Sequence, residues 1–241
     1  MNTLLRMTLL SAVALASPVY AGTPDTSILD LKVGMPSEVA MQWVRERIPN
    51  AKTMMVNQAR GSNGKDFFTY LQLTTLGTTS KGIEKLKADN GFIGETWTLY
   101  GGGPATGTLA VGLARSVRYD RGKGPDVEEM RKALVARYGE PSKTEDDGDE
   151  LYWVSKDTAL DQPSSTCVPD YSSLKYSPDC GTYILASINA GKDRLVTDLS
   201  ISILDHDLAI STVKAERAAL QKAADEKIES DRQNRAAVPK L

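Results

Sequence analysis

The sequence predicts an α+β protein. A helix packs on an antiparallel sheet, a second helix and more strands follow, and a charged helix closes the chain. Three observations carry this reading. Apolar residues at helical spacing, framed by start and stop signals, occur twice, in 34–49 and 124–141. Period-two alternation follows each of them. It is cleanest in 193–205, where Leu195, Leu199, Ile201 and Ile203 share one side and Asp198, Ser200 and Ser202 the other. Finally, 207–235 is rich in Ala, Glu, Lys and Arg, with charges of alternating sign.

Residues 1–21 read as a secretory signal. Arg6 supplies the positive start, 7–16 an apolar run, and Val19 and Ala21 the small residues before a cut after Ala21. The run is too short to span a bilayer, which needs about 20 residues, and no later stretch comes close. No cysteine follows the cut, so no lipid anchor is expected. The mature chain is expected to be periplasmic or secreted.

In the first helix Pro36 suits the first position, Ser37 caps, and Val39, Ala40, Trp43, Val44 and Ile48 form the stripe before Pro49. Segments 51–58 and 65–76 read as partner strands across the turn "RGSNGK". Segment 80–91 reads as a short helix with a glycine stop. Segment 95–100 is a strand, and "GGGPATG" (101–107) a flexible connection. The strand at 109–120 places Val111, Leu113, Val117 and Tyr119 on one parity. In the second helix Asp126 caps, Glu129 completes a capping-box pair, and Val127, Met130, Leu134 and Tyr138 form the stripe. Gly139 and Pro141 stop it. "DELYWVSK" is a strand, and 181–190 and 193–205 form a hairpin around "GKD". The last helix docks by a narrow stripe of Leu208, Val213, Leu220 and Ile228.

The order helix, strands, helix, strands gives two readings. One is a pair of tandem helix-plus-sheet units, 22–120 and 121–205, with a helix and tail at 206–241. The other is a single α+β domain with two similar helices.

Composition bounds function. The chain has 241 residues and 41% hydrophobic ones, enough for a real core. Without the 21-residue signal, 220 residues remain, and 28 basic side chains face 31 acidic ones. A net charge of −3 gives no reason to expect nucleic acid, whose binding needs a basic face, and no nucleic-acid partner is expected. Twelve residues separate Cys167 from Cys180, the two cysteines of the chain. That is not the C-x-x-C of a redox motif or zinc ribbon. In an exported chain a structural disulfide is expected.

"LKVGMPSEVAMQWV" (31–44) resembles the opening of the small outer-membrane assembly lipoprotein family, BamE/SmpA-like, on Gly34, Met35 and Val39. The resemblance implies helices followed by a three-stranded antiparallel sheet, and an accessory role in protein binding at the outer membrane. The family's lipid-bearing cysteine is missing here.

Reactive constellations are thin. His206, the one histidine, lies between Asp205 and Asp207 where a strand meets a helix. As a base it would need a carboxylate and a nucleophile. The alternative is a half-exposed imidazole beside a helix cap. Ser211 and Lys214 match S-x-x-K, but S-D-N and K-T-G are missing, and a capped helix start explains the serine. "GGGPATGT" lacks the phosphate-loop lysine. "EDDGDE" (145–150) does not match a calcium loop and reads as a hairpin turn with solvated charges. No cofactor and no metal are expected. Recognition remains. Tyr171, Leu174 and Tyr176 lie between the cysteines, where tyrosines provide contact area at little ordering cost. The expectation is a non-enzymatic exported binding or accessory protein, of inhibitor or immunity type, contacting an envelope protein or glycan. The alternative is an envelope hydrolase with a site near His206. A dimer through the C-terminal helix is a third expectation.

Overall fold

The structure is a computed structural model that describes residues 25–76, 92–145, 147, 149–162, 164–168 and 175–236. The helix expected at 80–91 lies outside the described residues.

Eight antiparallel strands form one sheet: β3 (Lys52–Arg60), β4 (Asp66–Thr74), β5 (Phe92–Gly101), β6 (Ala110–Tyr119), β7 (Lys143–Glu145), β8 (Glu150–Val154), β9 (Thr182–Ala190) and β10 (Val196–Asp205). Their order is β3-β4-β5-β6-β10-β9-β8-β7. The sheet is thus two meanders of four strands. The last strand of each meets the other in the middle, with Ser116 opposite Ser200. Helix α1 (Ser37–Arg47) precedes the first meander and α2 (Val127–Tyr138) the second. Strands β6 and β10 merge both halves into one sheet. A short ribbon, β1 (Ser27–Ile28) with β2 (Leu31–Lys32), comes before α1. The described helices are completed by α3 (Ser164–Cys167) and α4 (His206–Ala236).

Adjacent strand residues point to opposite faces, and both faces are covered. On one side Ala40 and Val44 of α1 and Leu134 and Tyr138 of α2 meet Leu73, Trp97, Leu99, Leu113, Ile184, Ile201 and Ile203 of the sheet. On the other side Tyr70, Tyr100, Val111 and Leu204 meet Ala209 of α4, while Tyr152 and Tyr183 meet Ala159, Cys167 and Cys180. The parity expected for β6 is corrected by a bulge. Tyr100 pairs with Gly112 and Gly101 with Ala110, so Val111 is the extra residue. A bulge shifts the facing of the residues beyond it. Val111 therefore joins the α4 side, while Leu113 faces α1 and α2.

Helix α1 is anchored by a charged and aromatic cluster. Trp43 meets Trp97 edge-on at 5.5 Å, and Arg47 and Arg115 lie over these two rings. Glu95, buried in β5, accepts from Arg115 at 2.6 and 2.7 Å and faces Arg47 at 3.5 Å. The cap expected from Ser37 does not form. Pro36 is the N-cap, and the buried Ser37 hydroxyl has no hydrogen-bond partner among the described residues. In α2 the Asp126 cap forms as expected, accepting from the Glu128 amide, and Gly139 ends the helix at φ +83°.

Candidate functional site

Two structures bind the second face of the sheet together, and both converge on the first turns of α4. The first is a knot around His206. The imidazole is fully buried, not half-exposed as its charged neighbours suggest. Its Nδ1 accepts from the backbone N–H of Ser177 at 3.1 Å, and its Nε2 lies 2.9 Å from the carbonyl oxygen of Cys167. An acceptor at Nδ1 requires the proton on Nε2, so the ring is the neutral Nε2–H tautomer. The backbone N–H of His206 also donates to Gly181. Burial is the main influence on this ring and lowers its pKa, outweighing the raising effects of Cys167, Asp205 and Asp207.

The disulfide between Cys167 and Cys180 is present and buried, with Cα atoms 5.6 Å apart. His206 thus holds both ends of the segment that the disulfide closes. The flanking aspartates have separate tasks. Asp205 caps α4 by accepting from the Leu208 amide at 2.8 Å, and Asp207 pairs with Lys156 at 2.8 Å. Ser211, expected at a capped start, instead donates to the Leu208 carbonyl within the helix. Both nitrogens of His206 are engaged by backbone groups, so the ring as placed offers no lone pair to a substrate hydroxyl. The two cysteine sulfurs and a ring nitrogen lie within 4.8 Å of one another. Joined as a disulfide, the sulfurs supply no thiolate to a metal.

Of the tyrosine-bearing contact residues, Tyr171 and Leu174 lie outside the described residues. Tyr176 is partly buried. It packs on the cluster containing Tyr100 and Leu204 and meets His206 edge-on at 5.9 Å. Burial raises its hydroxyl pKa to about 12.

The second structure is a latch at Glu216. Its Oε2 accepts from the Ala105 amide at 2.8 Å, and its Oε1 accepts from the Ser62 amide. Burial pushes this carboxyl upward, and the hydrogen bonds from the Ala105 amide and from the amide and side chain of Ser62 more than offset it, leaving the pKa below the usual value. The glycine tract is what lets α4 come so close. A Cβ on Gly102 would stand 2.9 Å from Thr212 Oγ1, and one on Gly103 2.7 Å from Glu216. Gly101, Gly102 and Gly103 are all buried. The tract is therefore the seat of α4, not the mobile connection its composition suggests. The docking face of α4 is Ala209, Thr212 and Glu216, all buried. Leu220 and Ile228, expected in the stripe, are exposed. Sequence reasoning missed this face because it is built of small and polar residues. The visible signal was their i, i+3, i+7 spacing.

The acidic tract at the β7–β8 turn is partnered rather than merely solvated. Glu145 pairs with Lys143 at 2.6 Å, Asp149 with Arg131 at 2.9 Å, and the Tyr152 hydroxyl reaches both Glu145 and Glu150.

Another opening for a partner lies elsewhere. A groove of about 390 Å³ runs between α1 and the outer strands β3 and β4. Met41, Val56, Phe67 and Leu71 supply its apolar lining; Glu38, Arg45, Lys65 and Asp66 also line it. Val56 is 46% exposed and Met54, on the same strand, 52%. Strand β3 is an edge of the sheet. The register shifts at Thr53/Met55, where Met54 is the extra residue, and at Asn57/Gln58, where the extra residue is Thr69 of β4.

Comparison with protein-family models, with curated proteins and with solved structures found no match.

Proposed function

We propose that this chain is an exported, non-enzymatic binding protein that holds an apolar segment of a cell-envelope protein in the groove between α1 and the β3–β4 edge. The observation that carries the reading is the groove itself, with Val56 of the edge strand β3 exposed in its lining. Binding clefts combine apolar lining with polar groups at fixed places; here the apolar side chains of Met41, Val56, Phe67 and Leu71 lie among polar and charged ones, Glu38, Arg45, Lys65 and Asp66 included. The bulge at Met54 interrupts the outer edge of β3 near its start. That makes it a poor template for edge-to-edge pairing with a second copy. Side chains seated in the groove, rather than a long main-chain ladder, then carry the affinity. Export is supported by the signal-like start and the buried disulfide. The non-enzymatic reading is supported by the engagement of His206, Ser211 and Glu216 with backbone groups.

The test is capture from envelope extract by the mature chain and by its Val56→Glu variant, with Tyr171→Ala/Leu174→Ala as a third bait. The expected result is one protein retained by the wild type and by the double variant, and lost with Val56→Glu. Equal retention by wild type and Val56→Glu removes the groove. Loss with the double variant alone moves the contact to the disulfide-bounded segment.

A further inference from the structure

A second opening has a different character. It lies between α4, the glycine seat and Tyr176. Two adjoining clefts of about 340 and 440 Å³ share Tyr176, Val213 and Arg217. Both lie within the ~300–1,000 Å³ typical of small-molecule sites. The first is lined mainly by apolar surface, including Ala59 and Phe67. The second adds Ile210 and carries Lys175 and Lys214 beside Arg217.

The helix explains the arrangement. Residues 209, 212 and 216 face the sheet and the glycine seat. Residues 210, 213, 214 and 217, at i, i+3, i+4 and i+7, form the adjacent face. That face has two apolar side chains and two cations, and Lys175 brings a third cation from the disulfide segment. Lys175, Lys214 and Arg217 make no ion pair among the described residues, whereas Arg47, Arg115, Arg131 and Lys156 all do. The acidic side chain lining the clefts is Glu216, and its two oxygens accept from Ser62 and Ala105. An apolar trough that ends among three cations is complementary to one kind of small molecule: an apolar chain with an anionic head.

We propose that this trough binds a single-chain anionic amphiphile. The chain lies along Phe67, Tyr176 and Val213, and the head group meets Lys175, Lys214 and Arg217. Carboxylate and phosphate heads satisfy the same cations, by charge-assisted hydrogen bonds that Arg217 can make in pairs. The site shares Phe67 with the groove beside α1 and no other lining residue.

The probes are dodecanoate, dodecyl phosphate, dodecanol and inorganic phosphate, titrated calorimetrically into the mature protein below their micelle concentrations. Both dodecyl anions are expected to bind with one-to-one stoichiometry, at least tenfold more tightly than dodecanol or inorganic phosphate. In Lys214→Glu/Arg217→Glu, whose changed side chains are exposed, the affinity for the anions is expected to fall at least tenfold while circular dichroism stays unchanged. Equal affinity for dodecanol and dodecanoate overturns the proposal, as does binding that survives the double charge reversal. A parallel sedimentation uses vesicles of phosphatidylglycerol and of phosphatidylcholine. Sedimentation with phosphatidylglycerol alone, without binding of either free anion, overturns the proposal in favour of a bilayer surface.

Discussion

The imidazole of His206 donates from Nε2 to the main-chain carbonyl of Cys167, 2.9 Å away, from a fully buried position at the start of α4. One side chain thereby fixes the disulfide segment to the last strand of the sheet and to the last helix. The neutral form of the ring is a structural requirement, because Nδ1 must accept from Ser177.

That requirement gives the first prediction. The pKa of His206 is lower in the folded chain than in the unfolded one, where it is about 6.5. Between the two values the unfolded chain binds the extra proton. Stability from this group is therefore complete above about pH 6.5 and is lost as pH falls toward the folded value. Urea unfolding between pH 5.5 and 7.5 should show a falling midpoint on acidification. The difference between wild type and His206→Gln should shrink over the same window. A pH-independent difference removes the assignment.

Replacing His206 also leaves the buried Cys167 carbonyl and the part-buried Ser177 amide without their partner. His206→Gln should cost about 1–3 kcal/mol at pH 7.5. Amide exchange at Ser177 should accelerate more than exchange in β6.

The disulfide closes a separation of 13 residues. In the chain-entropy model a loop of this size is worth about 3 kcal/mol. Cys167→Ser/Cys180→Ser should lower unfolding free energy by roughly that amount and keep the sheet, as read by far-ultraviolet circular dichroism. Iodoacetamide applied to unfolded, non-reduced protein should label neither cysteine.

The Glu216 latch and the glycine seat act on one contact. Glu216→Ala strands the Ser62 and Ala105 amides and should cost about 1–3 kcal/mol. Gly103→Ala forces a methyl group against Glu216 and should cost about 1–3 kcal/mol by overpacking. The two losses should not add in the double variant, because each breaks the same contact. Full additivity would separate them. The carboxyl's lowered pKa means its contribution is present above about pH 4.5 and is lost as pH falls through the folded value.

Beyond its docking face α4 leaves the body. Every residue from 220 to 234 is exposed, a length of about 22 Å at 1.5 Å per residue. Removing 222–241 should change unfolding free energy by less than about 0.5 kcal/mol. Mass measurement on the same truncated chain checks a role for this helix in self-association: a dimer that becomes a monomer on truncation assigns it one.

The periodic elements were legible from local pattern. Spacing of Val127, Leu134 and Tyr138 marked α2, and alternation of Leu199, Ile201 and Ile203 marked β10, because a buried face imposes its period directly on the chain. The Asp126 cap, the turn before Asp66 and the Cys167–Cys180 link were local in the same sense. Tertiary structure alone decided three things. It joined β6 to β10, which lie about eighty residues apart and carry no mutual signal. It buried His206, whose charged neighbours Asp205 and Asp207 point away to a helix cap and to Lys156. And it turned Gly101, Gly102 and Gly103 into a seat, because the helix that presses on them arrives more than a hundred residues later. Local sequence sets the period and the ends of each element; which surfaces then meet depends on partners far along the chain.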